Sequence, residues 1–242
     1  MADKSPLTLV LLSGLDGTGV LFEPIRPLLA AARPVDVIAY PVDALLGYDA
    51  LTGFVRDRLP VGPCILLGES FSGPVAIEIA ARNPERIAGL ILAVSFARRP
   101  MPAWLAWGTY WGTYLMPPSQ LPRALVSAML MGGYETPERR ATLDRVLASV
   151  PLATLTHRVR AALQVDKTAA LNTLSCPLLC LSASKDRLIG KRHARLIAAA
   201  ARHCDAQSIV APHMLLQTCP DLAAEIIERF CLSVDAARLR TG

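Results

Sequence analysis

The chain has 242 residues, of which 52% are hydrophobic and 19% are charged, and its formal net charge is +5. This composition suits one large domain with a substantial core and argues against intrinsic disorder. The basic residues are scattered in pairs, without a long basic run or a nucleic-acid-binding motif, so we expect no nucleic-acid partner.

The cellular setting is predicted from what the sequence lacks. No apolar run reaches the ~18 residues of a membrane span, so we expect no stable membrane insertion. The start, "MADKSPLTLV", has no small-residue cleavage site, so we expect no signal peptide and a cytoplasmic location. The six cysteines form no Cys-x-x-Cys pair and most stand in apolar contexts, which favours buried free thiols over disulfides or zinc ligands.

Short apolar runs alternate with helical patterns along the chain. Strands are predicted at 7–14, 35–41, 64–69, 87–96, 177–184 and 206–211. Helices are predicted at 22–32, 48–59, 71–83, about 189–203 and about 220–231. Continuous apolar strands separated by helices predict an α/β fold with a mostly parallel, doubly wound sheet of about six strands.

The stretch 97–171 interrupts this alternation. It holds all three tryptophans and seven prolines, which divide it into several short helices. We therefore predict a helical cap at 97–171, inserted above the carboxyl edge of the sheet, and a core formed by 1–96 and 172–242.

The segment "GESFSG" follows the strand at 64–69 and opens the helix after it. Ligand sites of parallel sheets lie at the carboxyl ends of the strands. A sharp strand-to-helix turn holds Ser70 above the sheet, and Gly68 and Gly73 leave room where the strand and the helix approach each other. This is the pattern of a nucleophile elbow.

Over essentially the whole chain the sequence resembles the α/β-hydrolase family, although Ser72 stands where that family usually has glycine. The resemblance implies that Ser70 is the nucleophile. The family's order is serine, acid, histidine. "PLLCLSASKDRLIG" is similar to its acid loop and gives Asp186, and "SIVAPHMLLQTCPDLAAEII" is similar to its histidine loop and gives His213.

The other histidines have more ordinary interpretations. His193 and His203 are predicted on a surface helix, and His157 on a helix surface or an interface within the cap. Asp16 is predicted to be structural and to cap the helix that follows it.

The resemblance also implies an oxyanion hole made by two backbone N–H groups, those of Phe71 and Leu15. The loop "LLSGLDGTGVLFEP" resembles the family's His-Gly-x loop, with Ser13 in place of the histidine. The same loop invites a dinucleotide-binding interpretation, but its spacing is Gly-x-x-Gly-x-Gly rather than Gly-x-Gly-x-x-Gly.

Together these features predict a serine hydrolase that cleaves carboxylic esters, or thioesters, of apolar acyl groups through an acyl-enzyme. No metal or organic cofactor is implied. Trp104, Trp107 and Trp111 are spaced to share one helix face, which predicts either a wall of the substrate pocket or packing of the cap.

Two alternatives stay open at this point. The compact capped chain resembles the carboxylesterases that act on pimeloyl-carrier-protein methyl ester, so the substrate is either a small molecule or a carrier-bound acyl ester. A non-catalytic binding or receptor module on the same fold is the alternative from another class.

Overall fold

The computed structural model describes residues 5–115 and 122–241. Its sheet contains β1 (Thr8–Leu12), β2 (Val35–Ile38), β3 (Cys64–Glu69), β4 (Ile87–Ala93), β5 (Leu178–Ala183) and β6 (Cys204–Ile209). The strand order is β2-β1-β3-β4-β5-β6, and every neighbouring pair is parallel. The predicted fold class is confirmed.

Helices lie between the strands along the chain and follow the last strand. They are α1 (Arg26–Ala30), α2 (Tyr48–Arg56), α3 (Gly73–Arg82), α4 (Ala103–Leu115), α5 (Arg123–Leu130), α6 (Pro137–Ser149), α7 (Leu152–Gln164), α8 (Thr168–Asn172), α9 (Lys191–Ala200), α10 (Leu215–Thr218) and α11 (Pro220–Thr241). Among the described residues, no helix has the length and apolar character that crossing a membrane requires.

Two of the predicted helices differ from those observed. The single helix predicted at 22–32 is a 3-10 turn at Val20–Phe22 followed by the short α1, which has Pro27 in its first turn. The last helix runs to Thr241 instead of ending near 231. It continues because Val234 is buried against the sheet beside Gly89 and Asp235 pairs with Arg33.

The core has two layers, one on each face of the sheet. Alternate residues of β1 point to opposite layers: Val10 and Leu12 join the helices α2, α3 and α9, whereas Leu9 and Leu11 join α1 and α11. Every residue of β3 is buried, as expected for a central parallel strand. A buried leucine of this kind stabilises the fold by about 2 kcal/mol, so β3 contributes strongly to the stability of the sheet.

The helical segment between β4 and β5 begins and ends at one place. Arg98 and Asp166 form an antiparallel bridge, Arg99 N donates to Val165 O at 2.9 Å, and Lys167 N donates to Ala97 O at 2.7 Å. The two ends of the segment therefore meet where β4 leaves the sheet. The division into a core and a cap at 97–171 stays a prediction.

This segment packs on the carboxyl edge of the sheet. Thr154 Oγ1, near the start of α7, donates to Val42 O at 2.6 Å in the loop after β2. Met131 and Leu143 form a small buried cluster with Met214, the residue after His213. The segment is thus in direct contact with the loops that carry the candidate site.

All six cysteines are free. Cys64, Cys176, Cys180 and Cys231 are buried, and Cys204 and Cys219 are partly exposed. Burial raises the pKa of the Cys64 thiol to about 11 and that of Cys180 to about 12, so both are protonated near neutral pH. The prediction of free thiols is confirmed.

Candidate active site

Ser70 stands between β3 and α3 in a strained backbone conformation. Its φ is 47°, a left-handed value that costs a non-glycine residue on the order of 1–3 kcal/mol. Ser95 Oγ, just beyond β4, donates to Ser70 O at 2.5 Å and helps to hold this turn. The side chain of Ser70 is therefore lifted above the sheet, and the residue is partly exposed.

The two glycines around Ser70 are required by close packing. A Cβ on Gly68 would lie 2.9 Å from Ala76 Cβ, and one on Gly73 would lie 1.8 Å from Ser95 Oγ. Any larger residue would push the strand and the helix apart, so the "GESFSG" segment fits this turn for steric reasons.

His213 lies in the loop after β6 and reaches Ser70. Its Nε2 is 2.8 Å from Ser70 Oγ, and the residue is 6% exposed. Backbone hydrogen bonds fix the loop: Met214 N donates to Leu130 O and Leu215 N donates to His213 O, at 2.9 and 2.8 Å. The helical segment thus supports the histidine through Leu130.

Asp186 follows β5 and lies on the far side of the imidazole. Its Oδ2 is 2.8 Å from His213 Nδ1, and its side chain is 2% exposed. Its Oδ1 accepts from the N–H groups of Leu188 and Ile189 at 2.8 and 2.9 Å. A carboxylate held in this way accepts a hydrogen bond from Nδ1–H and so fixes the tautomer in which the lone pair of Nε2 faces the serine hydroxyl.

The loop after β1 lies against the other side of Ser70. A Cβ on Gly14 would be 4.0 Å from Ser70 Cβ, so this loop is in contact with the candidate nucleophile. Leu15 follows Gly14 in this loop, and Phe71 follows Ser70. Asp16 accepts from Thr18 N and Oγ1 at 2.8 and 2.6 Å, so it caps the turn at Thr18 rather than the helix that was predicted.

Ser72 does more than provide a small side chain. Its hydroxyl donates to Ser13 O and lies 2.5 Å from Tyr40 Oη. The two positions that depart from the family pattern, Ser13 and Ser72, are therefore in contact with each other. The pairing with Tyr40 was not predicted, because it joins residues 32 positions apart in sequence.

Glu69 is a buried carboxyl group next to the candidate nucleophile. Gln217 Nε2 donates to its Oε1 at 2.8 Å, and Gly14 lies beside its Oε2. Burial raises the pKa of Glu69 to about 7; the charge of Asp16 adds to this, while the Gln217 hydrogen bond and the charge of His213 oppose it. Its position inside the "GESFSG" segment was the only sequence signal for it.

The remaining histidines occupy other places. The surface prediction for His193 is wrong: it is 4% exposed and packs edge-on against Phe96, and burial lowers its pKa. His203 is exposed but lies after the end of α9 rather than on it. His157 lies on α7 beside Gly47.

The three tryptophans all fall on α4, as predicted. Trp104 is 75% exposed, so its side chain lines no enclosed cavity. The side chains of Trp107 and Trp111 lie outside the described part of the structure. A groove of about 500 Å³ opens nearby, lined by residues of α2, α4 and α7 that include Tyr48, Tyr110 and His157.

This groove is linked to the candidate site by Tyr48. The Tyr48 ring stacks on Phe71 at 4.9 Å between centroids, and its hydroxyl donates to Phe71 O at 3.1 Å. A ligand in the groove would therefore lie one aromatic residue away from the turn that carries Ser70.

The dinucleotide interpretation does not agree with the topology. A dinucleotide-binding sheet has the strand order 3-2-1-4-5-6, whereas here β1 lies between β2 and β3. No α-helix begins at the "GLDGTG" glycines: a 3-10 turn at Val20–Phe22 follows them, and α1 begins only at Arg26. Within residues 5–115 and 122–241, no group of three His, Cys, Asp or Glu side chains could hold a metal ion.

Comparison with known proteins shows the family to which the chain belongs. A family model described as serine aminopeptidase, S33, matches residues 43–217, which is well over half of the chain. The chain belongs to the α/β-hydrolase family. The match includes the turn with Ser70 and both loops that carry Asp186 and His213.

Named relatives are more distant. The chain is 29% identical over 204 residues to the biotin biosynthesis bifunctional protein BioHC of Cellvibrio japonicus, covering 75% of this chain and 38% of that protein. It is 25% identical over 203 residues to the pimeloyl-[acyl-carrier protein] methyl ester esterase of Neisseria meningitidis, covering 75% of this chain and 76% of that protein. It is 36% identical over 104 residues to the chloroplastic phytyl ester synthase 1 of Arabidopsis thaliana, covering 39% of this chain but only 15% of that protein.

Solved structures share the fold across nearly the whole chain. The enol-lactonase of Burkholderia xenovorans has a TM-score of 0.82 at 18% identity and covers 93% of this chain and 91% of its own. The esterase of Exiguobacterium antarcticum has a TM-score of 0.79 at 16% identity and covers 94% and 92%. At such low identity these likenesses establish the fold and leave the substrate of this α/β-hydrolase to be argued from its site.

Proposed function

We propose that this α/β-hydrolase is a serine esterase that cleaves carboxylic esters of apolar acyl groups, with thioesters as a related substrate class. One observation carries the proposal. A hydrogen-bonded chain runs from Asp186 through His213 to Ser70, with 2.8 Å at each step, and it ends on the hydroxyl of a partly exposed residue at a strained turn.

In the proposed reaction, Ser70 Oγ attacks the ester carbonyl and its proton passes to His213 Nε2. Asp186 stabilises the imidazolium that forms, and the N–H groups of Leu15 and Phe71 stabilise the oxyanion. The tetrahedral intermediate expels the alcohol, which takes the proton from Nε2. Water then attacks the acyl-enzyme, giving its proton to Nε2, and the acid leaves as Ser70 regains the proton.

A second candidate substrate is a methyl ester of an acyl group on a carrier protein. It is favoured by the similarity over 75% of the chain to two proteins named for that reaction or for its pathway. The formal charge of +5 suits an acidic carrier. The same three side chains would act, and only the recognition of the substrate would differ.

The apolar acyl wall stays a proposal for Trp107 and Trp111. Each methylene buried against such a wall contributes about 0.8 kcal/mol, which is nearly fourfold in kcat/KM per carbon. Trp107→Ala should flatten the dependence of kcat/KM on acyl length. Trp104→Ala is the matched control, because that side chain is already 75% exposed.

The test combines labelling with a substrate panel. A fluorophosphonate probe should label the wild type and not Ser70→Ala, whereas Ser233→Ala on α11 should label normally. The panel contains p-nitrophenyl esters from acetate to dodecanoate, an acyl thioester, a carrier-bound acyl methyl ester and an aminoacyl anilide. The anilide is included because the matching family model is described by an aminopeptidase.

The expected result is hydrolysis of esters by the labelled enzyme and its loss in Ser70→Ala. If the wild type takes no label and binds acyl esters without turnover, the esterase proposal is wrong and a binding module replaces it. If only the anilide is cleaved, the nucleophile stands and the proposed ester class is wrong.

A further inference from the structure

Arg158 is a fully buried charged residue on α7, 1% exposed, and the proposed chemistry has not used it. We propose that Arg158 is a positioning residue that holds the turn at 14–17 in the shape that presents the Leu15 N–H to the oxyanion. This inference rests on the proposed hydrolase function, because an oxyanion forms only if Ser70 attacks a carbonyl.

The guanidinium is bound to the backbone of the turn. Its Nη1 donates to Leu15 O at 2.9 Å and to Asp16 O at 2.6 Å, and its Nη2 donates to Pro41 O at 3.0 Å. Three carbonyl oxygens from the loops after β1 and β2 thus converge on one side chain. Hydrogen bonds from a charged donor are roughly twice as strong as neutral ones, so this contact fixes both loops.

The turn itself leaves little freedom to the Leu15 N–H. Gly17 N donates to Gly14 O at 3.2 Å, and Gly14 O belongs to the same peptide group as the Leu15 N–H. Tyr40 N donates to Gly17 O at 2.7 Å. The peptide that carries the proposed donor is therefore held by the turn on one side, and Arg158 holds the next two carbonyls along the chain.

Gly17 and Arg158 fit each other. Gly17 has a φ of 73°, and a Cβ built on it would lie 2.4 Å from Arg158 Nη1. The guanidinium occupies the space that a side chain at position 17 would need. The sequence "GLDGTG" thus supplies a turn with room for a cation rather than a phosphate-binding loop.

Burying the charge of Arg158 carries a desolvation penalty that a residue used only for packing would avoid. Among the described residues, no carboxylate lies within ion-pairing distance of it, and its Nε has no hydrogen-bond partner. Burial lowers the pKa of this guanidinium, which Asp16 and Tyr40 only partly oppose. An apolar side chain would fill the same volume without the desolvation penalty of a buried cation, so the three carbonyl contacts are what the charge provides.

The position of Arg158 also links two parts of the chain. It lies on α7, where Thr154 Oγ1 donates to Val42 O at 2.6 Å one turn earlier. Packing of α7 on the core and the shape of the turn at 14–17 therefore depend on each other. A loosely packed α7 would leave the oxyanion site incompletely formed.

The test compares Arg158→Lys and Arg158→Met with Arg33→Lys, which alters another buried arginine at the opposite end of β1. Loss of one oxyanion donor lowers kcat by about 10²–10³-fold. We expect a loss of that order in Arg158→Met, a loss of roughly tenfold in Arg158→Lys, and a KM within about threefold of wild type in both. Arg33→Lys should keep kcat, even if it unfolds more easily. Concentrations are corrected by burst titration of the acyl-enzyme.

A second readout does not depend on catalysis. Amide hydrogen exchange at Gly17 should accelerate by about tenfold or more in Arg158→Lys and stay at the wild-type rate in Arg33→Lys. If Arg158→Met does not fold, Gly17→Ala perturbs the same contact from the other side and should give the same loss of kcat at unchanged KM.

Three outcomes are informative. A fall in kcat alone, together with faster exchange at Gly17, supports the positioning role. Unchanged kcat in folded Arg158→Lys and Gly17→Ala, or unchanged exchange, overturns it. If the wild type cleaves nothing and takes no fluorophosphonate, the proposed hydrolase function is wrong. The exchange experiment still tests the positioning role in that case, because an unchanged exchange rate at Gly17 in Arg158→Lys would show that Arg158 does not hold the turn.

Discussion

Two buried arginines lie at the two ends of β1, and they are held in opposite ways. At the amino end Arg33, 4% exposed, pairs with Glu228 at 2.6 Å and Asp235 at 3.1 Å and donates to Leu7 O. At the carboxyl end Arg158, 1% exposed, donates to three backbone carbonyls. One guanidinium is neutralised by carboxylates and the other is not.

The difference appears in the pKa values of the two groups. Burial acts to lower the pKa of Arg33, but its hydrogen bond to Glu228 and the neighbouring charges raise it above the ordinary value. For Arg158 burial dominates and the pKa is lowered. At the amino end of β1 the buried cation is thus held by two carboxylates, whereas at the carboxyl end it is held by backbone carbonyl oxygens, which carry no compensating charge.

The largest expected effect is at the carboxyl end and concerns activity. Asp186→Asn and His213→Ala should each lower kcat by about 10⁴-fold or more, and the double variant should resemble the worse single one, because the three residues act as a unit. Urea unfolding should show little change in stability for Asp186→Asn, because the amide oxygen of Asn can still accept from the N–H groups of Leu188 and Ile189. A mostly active Asp186→Asn would contradict the assignment of Asp186 as the residue that orients His213.

At the amino end the large effect should be on stability. Arg33→Met leaves Glu228 and Asp235 without their partner, and breaking a buried pair costs about 3–5 kcal/mol. Because these carboxylates are 22% and 16% exposed, we expect the lower end of that range. Arg26→Met, exposed on α1, is the control. A drop in kcat of the folded Arg33→Met protein would contradict the expectation that Arg33 affects stability and not activity.

Glu69, the last residue of β3, should make the stability of the protein depend on pH. Its pKa is raised from 4.5 to about 7. Between these values the folded protein holds a proton that the unfolded chain has lost, so stability should fall by roughly 3 kcal/mol as the pH rises through this range. Glu69→Gln removes the titrating group. Urea unfolding from pH 4 to 8 should therefore show this fall in the wild type relative to Glu69→Gln, and parallel curves would contradict it.

The smallest expected effect concerns the hydroxyl of Ser72. Ser72→Ala removes the donor to Ser13 O and the partner of Tyr40 Oη, which should lower the free energy of unfolding by about 1 kcal/mol. Ser233→Ala, on the exposed side of α11, should change it by less. We expect the kcat of Ser72→Ala to stay within about threefold of wild type, which would show that the Ser72 contact does not act on the turn that Arg158 holds. A loss of kcat as large as that in Arg158→Lys would show that both residues control the same loop.

Local sequence patterns were sufficient to predict the sheet and the strand-to-helix turn that carries Ser70. Apolar runs bounded by turn residues predict strands wherever both faces are buried, as in β3 and β4. The elbow around Ser70 is predicted from Gly68 and Gly73, because glycine is needed where the strand and the helix approach each other closely. Asp186 and His213 were placed by resemblance to a family and by their position after β5 and β6. In the structure Asp186 contacts His213 and His213 contacts Ser70, at 2.8 Å in each case.

Only the tertiary structure decided what each buried polar group contacts. In sequence, Arg158 is one of two arginines on a mixed helix, and nothing local tells it from Arg160. Its partners lie 142 and 117 positions away, at Asp16 and Pro41. The continuation of α11 to Thr241 depends in the same way on the packing of Val234 and Asp235. Hydrophobic periodicity reports which face of an element is buried, whereas the pairing of a buried charge depends on which distant backbone the fold brings beside it.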